Sequence, residues 1–190
     1  MPSNVWTQLV AWQEAQGTLF NTYTTAKTVL NAEALYTLPA GFFKNVGQRL
    51  RITVQGAESH RATGPDTMTF QVMFGSIVVF TTGAINLTTT VHTTIPFWLE
   101  IILTLNSTGS GTSAKFLGQG IIWGQGFAMA ASLADGVANT GWAMGPNTAP
   151  AVGTGWDSTI ANVIDFWVAQ SFSGSGNGVQ IASYGVYSDN

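Results

Sequence analysis

Three stretches of this chain alternate between apolar and polar residues with a period of two, and that rhythm leaves little choice of fold. In Gln48–Gln55, Leu50, Ile52 and Val54 fall on one face and Arg49, Arg51 and Thr53 on the other. Met68, Phe70, Val72 and Phe74 oppose Thr67, Thr69 and Gln71 in the same way. A third run sets Phe97, Leu99, Ile101, Leu103 and Leu105 against Trp98, Glu100, Ile102 and Thr104, where Trp98 and Ile102 predict that the second face is partly covered as well. Further strands are predicted at 25–32, 34–38, 76–81, 84–92, 114–124, 160–171 and 178–187. Turn clusters separate them, such as Pro39-Ala-Gly, Gly64-Pro-Asp, Asn106-Ser-Thr-Gly-Ser-Gly and Ser173-Gly-Ser-Gly-Asn-Gly.

Helical spacing is confined to two windows, Gln8–Ala15 and Gly126–Ala134, and neither lies where a repeated crossover helix would be needed. No internal repeat is evident, which argues against a propeller or solenoid. The expected fold is therefore all-β: an antiparallel sandwich, most simply a jelly roll, spanning 25–190 and preceded by an arm at 1–24. The arm carries Trp6, Trp12 and Phe20. These either pack on the same sandwich or anchor on a neighbouring subunit, since aromatic side chains dominate interface energetics.

Charge narrows the partners. Charged residues make up 8% of the chain, against ~25% in an ordinary soluble domain. The longest apolar runs, such as Ile77-Val78-Val79-Phe80, are far short of the ~20 residues of a spanning helix, so no membrane partner is expected. A net charge of −3, with six scattered basic residues, gives no footprint for nucleic acid. The hydrophobic fraction of 45% is enough for a core and argues against disorder. With no cysteine there is no disulfide framework and no thiolate metal site. The first residues show no basic start followed by an apolar stretch, so no export signal is expected.

Residue chemistry for catalysis is sparse. The histidines, His60 and His92, lie in surroundings that specify neither a base nor a metal site, and no Gly-x-Ser-x-Gly elbow occurs. Asp135, Asp157 and Asp165 are the acids nearest to a glycosidase-like pair, but Asp157 precedes Ser158 and Thr159 as in an ordinary Asx turn. Asp165, amid Ile164, Phe166 and Trp167, must either face solvent or have a specific partner. Gly118-Gln-Gly-Ile-Ile-Trp-Gly-Gln-Gly lacks the Gly-Lys-[Ser/Thr] of a phosphate loop. Glycines inside a strand instead mark a bulge, a bend or a close backbone approach. Asn86-Leu-Thr and Asn106-Ser-Thr match the glycosylation pattern, which arises by chance in a Thr-rich chain. The irregular stretch 125–158 holds Trp142 and Trp156 with Met129 and Met144. These tryptophans either fill gaps at the edge of the core or meet a partner or a glycan.

The segment Thr37-Leu-Pro-Ala-Gly-Phe-Phe-Lys-Asn-Val-Gly-Gln-Arg-Leu-Arg-Ile-Thr-Val-Gln-Gly resembles a pattern of tailed-bacteriophage virion proteins. Asp157-Ser-Thr-Ile-Ala-Asn-Val-Ile-Asp-Phe-Trp-Val-Ala-Gln-Ser, followed by Gly178-Val-Gln-Ile-Ala-Ser-Tyr-Gly-Val-Tyr, is similar to the closing strands of those β-sandwich domains. The resemblance covers 25–124 and 157–187. It implies a jelly-roll module without catalytic activity or cofactor, often trimeric, that decorates a capsid or belongs to a head fibre or tail. The expectation is thus a virion protein made in the host cytoplasm, a cement subunit bound to the major capsid protein on the capsid surface. A carbohydrate-binding module using Trp98, Trp142 or Trp156 is the alternative from another class. Arg49 and Arg51 on one outward face, with Asp165 on another strand, are the charges expected at contacts between subunits. Strand edges, with few charges to guard them, are expected to be paired across subunits or covered by the arm.

Overall fold

The computed structural model describes residues 6–61, 66–128, 142–146 and 151–189. In chain order the strands are β1 (Thr7–Trp12), β2 (Phe20–Asn21), β3 (Lys27–Thr28), β4 (Tyr36–Leu38), β5 (Arg49–His60), β6 (Thr67–Phe74), β7 (Ile77–Thr81) and β8 (Ile85–Leu87). They continue with β9 (His92–Ser107), β10 (Lys115–Gly124), β11 (Phe127–Ala128), β12 (Trp142–Gly145), β13 (Ala151–Val152), β14 (Asn162–Gln170) and β15 (Gly178–Asp189). One 3₁₀ turn, Ala32–Ala34, breaks the predicted strand at 25–32 from its successor.

The strands form two antiparallel sheets. The first runs β1-β15-β5-β9-β10-β12, with β2 also on β15 and β13 on β10. The second runs β11-β8-β6-β14-β3, with β4 on β14 and β7 on β6. The chain passes repeatedly from sheet to sheet, between β2 and β3, β4 and β5, β5 and β6, β8 and β9, β10 and β11, β11 and β12, β13 and β14, and β14 and β15, giving a jelly-roll-like sandwich.

Alternation places the core as the sequence predicts. Leu50, Ile52 and Val54 face inward from β5, Met68, Phe70, Val72 and Phe74 from β6, and Phe97 through Leu105 at every second position from β9, all buried. Aromatic rings fill both ends of the layer: Phe70, Phe97, Phe127 and Phe166 at one, Phe43, Phe74, Phe116 and Trp156 at the other. The glycines of β10 prove to be close approaches. A Cβ at Gly118 would stand 2.5 Å from the Phe80 ring and 2.9 Å from Leu103, so only glycine lets Phe80 lie against the strand.

Two expectations change. The window Gln8–Ala15 holds a strand over Thr7–Trp12, not a helix, and it joins the sandwich by pairing with β15. A bulge between Leu9 and Ala11 turns the consecutive residues Val10 and Ala11 inward, and this doublet imitates helical spacing in the sequence. The boundary between arm and domain is thus bridged by a ladder of hydrogen bonds, extended by Gln13 N and Gly17 N donating to the carbonyls of Tyr184 and Ile181. In the second window, Gly126–Ala134, the described residues Phe127–Ala128 form β11 and not a helix, while 129–134, with Met129, lie outside the described residues, as does Asp135.

Candidate binding surfaces

β1 lies at the end of the first sheet, bonded to β15 on one side and to no described strand on the other. Its sequence, Thr-Gln-Leu-Val-Ala-Trp, carries no charge. Trp6 is 52% and Trp12 50% exposed, with Leu9 and Leu19 similarly open. Phe20 differs from these two tryptophans: it pairs with Val179, meets Tyr23 edge-on at 6.1 Å and packs on its own core.

The charges singled out for subunit contacts divide in the same way. Arg49 is exposed at the start of β5. Arg51 is engaged within the chain, its guanidinium 4.7 Å over the Tyr187 ring and its Nε 3.8 Å from Asp189. Asp165 is only 9% exposed and is occupied by partners within its own chain. Its Oδ1 accepts from Thr28 Oγ1 and Phe166 N, both at 2.7 Å, and its Oδ2 accepts from Trp167 Nε1 at 2.6 Å. It ties β14 to β3, so its role is internal.

The outer face of the first sheet is a grid set by register. Gln55, Trp98, Trp123 and Trp142 stand in one row across β5, β9, β10 and β12. The next row is Thr53, Glu100, Ile121 and Met144, followed by Arg51, Ile102 and Gln119, and then by Arg49, Thr104, Leu117 and Val152. On this face Trp98, Glu100 and Thr104 are partly buried and Ile102 is 40% exposed, and no described segment forms a second layer over it. The two tryptophans cover each other instead, their rings 4.5 Å apart and 29° from parallel. Trp123 remains 40% exposed. Beside them runs a groove of about 660 Å³ in which Gln55 and Gln125 are the lining residues with amide side chains. Trp123 was not singled out from the sequence, although its parity with Leu117 and Ile121 in β10 was readable.

A buried polar cluster closes one end of the sandwich. His60 Nδ1 lies 2.8 Å from Glu58 Oε2, and Nε2 lies 3.1 Å from Thr88 Oγ1, with the His92 ring at 5.0 Å. Burial opposes a charged imidazole here. The hydrogen bond and charge of Glu58, with backbone contacts at Thr88 and Thr90, outweigh it and raise His60 above the usual histidine range. Nearby, Asp66 accepts from Arg61 Nε at 3.3 Å and Asn177 Nδ2 at 3.0 Å, and the Arg61 guanidinium lies over the Phe172 ring. Arg61 is partly exposed, and the other carboxylate oxygen of Glu58, Oε1, is buried with no hydrogen-bond partner among the described residues. Among the described residues, no group of three His, Asp or Glu side chains is placed to hold a metal ion.

The remaining candidates are structural. Asp157 caps its turn, accepting from Thr159 Oγ1 and N and from Gly111 N, and these bonds hold its carboxyl below the usual range. Trp156 is 1% exposed, sealed among Phe43, Phe74 and Phe116, and so has no surface for a partner or a sugar. Trp142 is placed only by its backbone register with Trp123. Among the described residues no helix is long and apolar enough to cross a membrane.

No protein-family model and no curated protein sequence matches the chain. Among solved structures it aligns with the CBM2 module of the Lactobacillus casei BL23 phage J-1 evolved Dit, at 11% identity over 99% of this chain and 98% of that one, with a TM-score of 0.38. A chain of infectious bursal disease virus Gx strain aligns at 13% identity over 98% of this chain and 32% of the viral one, with a TM-score of 0.35. Peanut lectin aligns at 6% identity over 98% of both chains, with a TM-score of 0.31. At these scores the sheets do not superpose closely, and the sandwich described above stands on this chain's own geometry.

Proposed function

We propose that the chain is a non-enzymatic structural protein of a bacteriophage particle, a jelly-roll-like decoration or cement subunit that sits on the major capsid shell as a homotrimer. The observation that carries this reading is the open, uncharged edge of the first sheet. Soluble proteins blunt such edges with charge, proline, bulges or cover. Here the bulge is present, but Trp6, Leu9 and Trp12 project where guarding charges would stand. Association hides both the unpaired backbone groups and the apolar area, at ~25 cal/mol per Å² removed from water.

The rest of the molecule is consistent with this role. Like-charge repulsion accumulates in a symmetric shell, and a chain that is 8% charged largely avoids it. The resemblance of 37–56 and 157–187 to virion sandwich domains supports the same assignment.

Sedimentation velocity of the purified chain tests the reading. A trimer is expected, together with a shift toward monomer in the Trp6→Ser/Trp12→Ser variant, whose unfolding midpoint should match that of the native chain diluted to monomer. A native chain that is monomeric at assembly concentrations overturns the proposal.

A further inference from the structure

We propose that the groove beside Trp98 and Trp123 on the outer face of the first sheet binds a neutral oligosaccharide, a site separate from the β1 edge. A pyranose offers C–H groups on its faces and hydroxyls around its rim. The groove supplies a partner for each. The exposed Trp123 ring, held by its stack on Trp98, is a rigid apolar platform that loses little entropy on binding. Gln55 and Gln125, both exposed, each bring an amide that donates through nitrogen and accepts through oxygen, as hydroxyl pairs require.

Charge and shape select the ligand class. No described residue lining this groove is ionisable, so an anionic or cationic ligand would lose water there without gaining a counter-charge. Gly56 and Gly124 face the core: a Cβ at Gly56 would stand 2.9 Å from the buried Phe97 ring, and one at Gly124 would meet Phe97 and Phe127, so on the groove side these positions present backbone only. The volume, about 660 Å³, falls within the ~300–1,000 Å³ of small-ligand clefts.

The test is a titration of the native chain with neutral gluco-, galacto- and rhamno-oligosaccharides in α and β linkage, followed by indole N–H chemical shifts. At least one is expected to bind and to move the Trp98 and Trp123 signals. Trp123→Ala is expected to lower its affinity at least about tenfold, equivalent to about 1.4 kcal/mol. Trp123→Phe restores most of the affinity, Trp6→Ser leaves it unchanged, and the unfolding midpoint of Trp123→Ala stays at the native value. Failure of all these sugars to bind at millimolar concentration overturns the proposal, as does binding that survives Trp123→Ala. Trp123-dependent retention on capsid shells without sugar binding also overturns it and assigns the groove to protein contact. Trimer formation is measured independently, so the site and the cement role fail separately.

Discussion

Replacing Trp156 with alanine removes the largest fully buried side chain of the core. The ring stacks on Phe116 at 5.3 Å and 19° and meets Phe74 and Phe43 nearly at right angles, at 4.7 and 5.2 Å. Losing such a ring from a core that relaxes only partly costs about 3–5 kcal/mol. A chain of this size then melts roughly 6–20 °C lower. A term of opposite sign is also present: the buried indole Nε1 has no hydrogen-bond partner among the described residues. Removing an unpaired buried donor recovers about 1–3 kcal/mol. Trp156→Phe discards that donor while keeping an aromatic ring, so its loss should stay below about half of the alanine value. Urea unfolding followed by circular dichroism measures both variants. An alanine variant no less stable than the native chain would refute the core assignment, and a phenylalanine variant as damaged as the alanine one would refute the unpaired-donor argument.

Two further outcomes follow from the polar groups. The folded pKa of His60 is raised above its ordinary 6.5, so its stabilisation is complete below that value and is lost as pH rises through the folded pKa. The urea midpoint of the native chain should therefore fall across that window relative to a His60→Gln variant, and equal slopes would contradict the Glu58 pairing. Asp165→Asn should cost about 1–3 kcal/mol, because all three donors lose a charged acceptor and at least one of them faces a donating amide nitrogen instead. The oligomeric state should not change, and a change in sedimentation would return Asp165 to the interface.

The sheets were legible because alternation is a local property. β5, β6 and β9 each bury one parity, and a period of two reports this directly. β1 was not legible, because its bulge buries Val10 and Ala11 in succession and erases the alternation. Trp156 sits outside any named strand, held by a single bridge to Ala114, so no rhythm separates core from surface there. The parity of Asp165 reads as outward, but its burial depends on Thr28, 137 residues away in sequence. His60 likewise meets Thr88 across 28 residues. Trp98 and Trp123 share an outward face only once the register of β9 on β10 is known. Each miss concerns a contact between distant segments, which spacing within one segment does not encode.

Adhesion to a virion, the role proposed for this chain, is checked by pelleting the purified chain with empty capsid shells of the phage proposed to carry it. Saturable co-sedimentation, lost in the Trp6→Ser/Trp12→Ser variant while that variant remains folded, is the predicted result. A chain that stays in the supernatant at concentrations where it is trimeric would contradict the account.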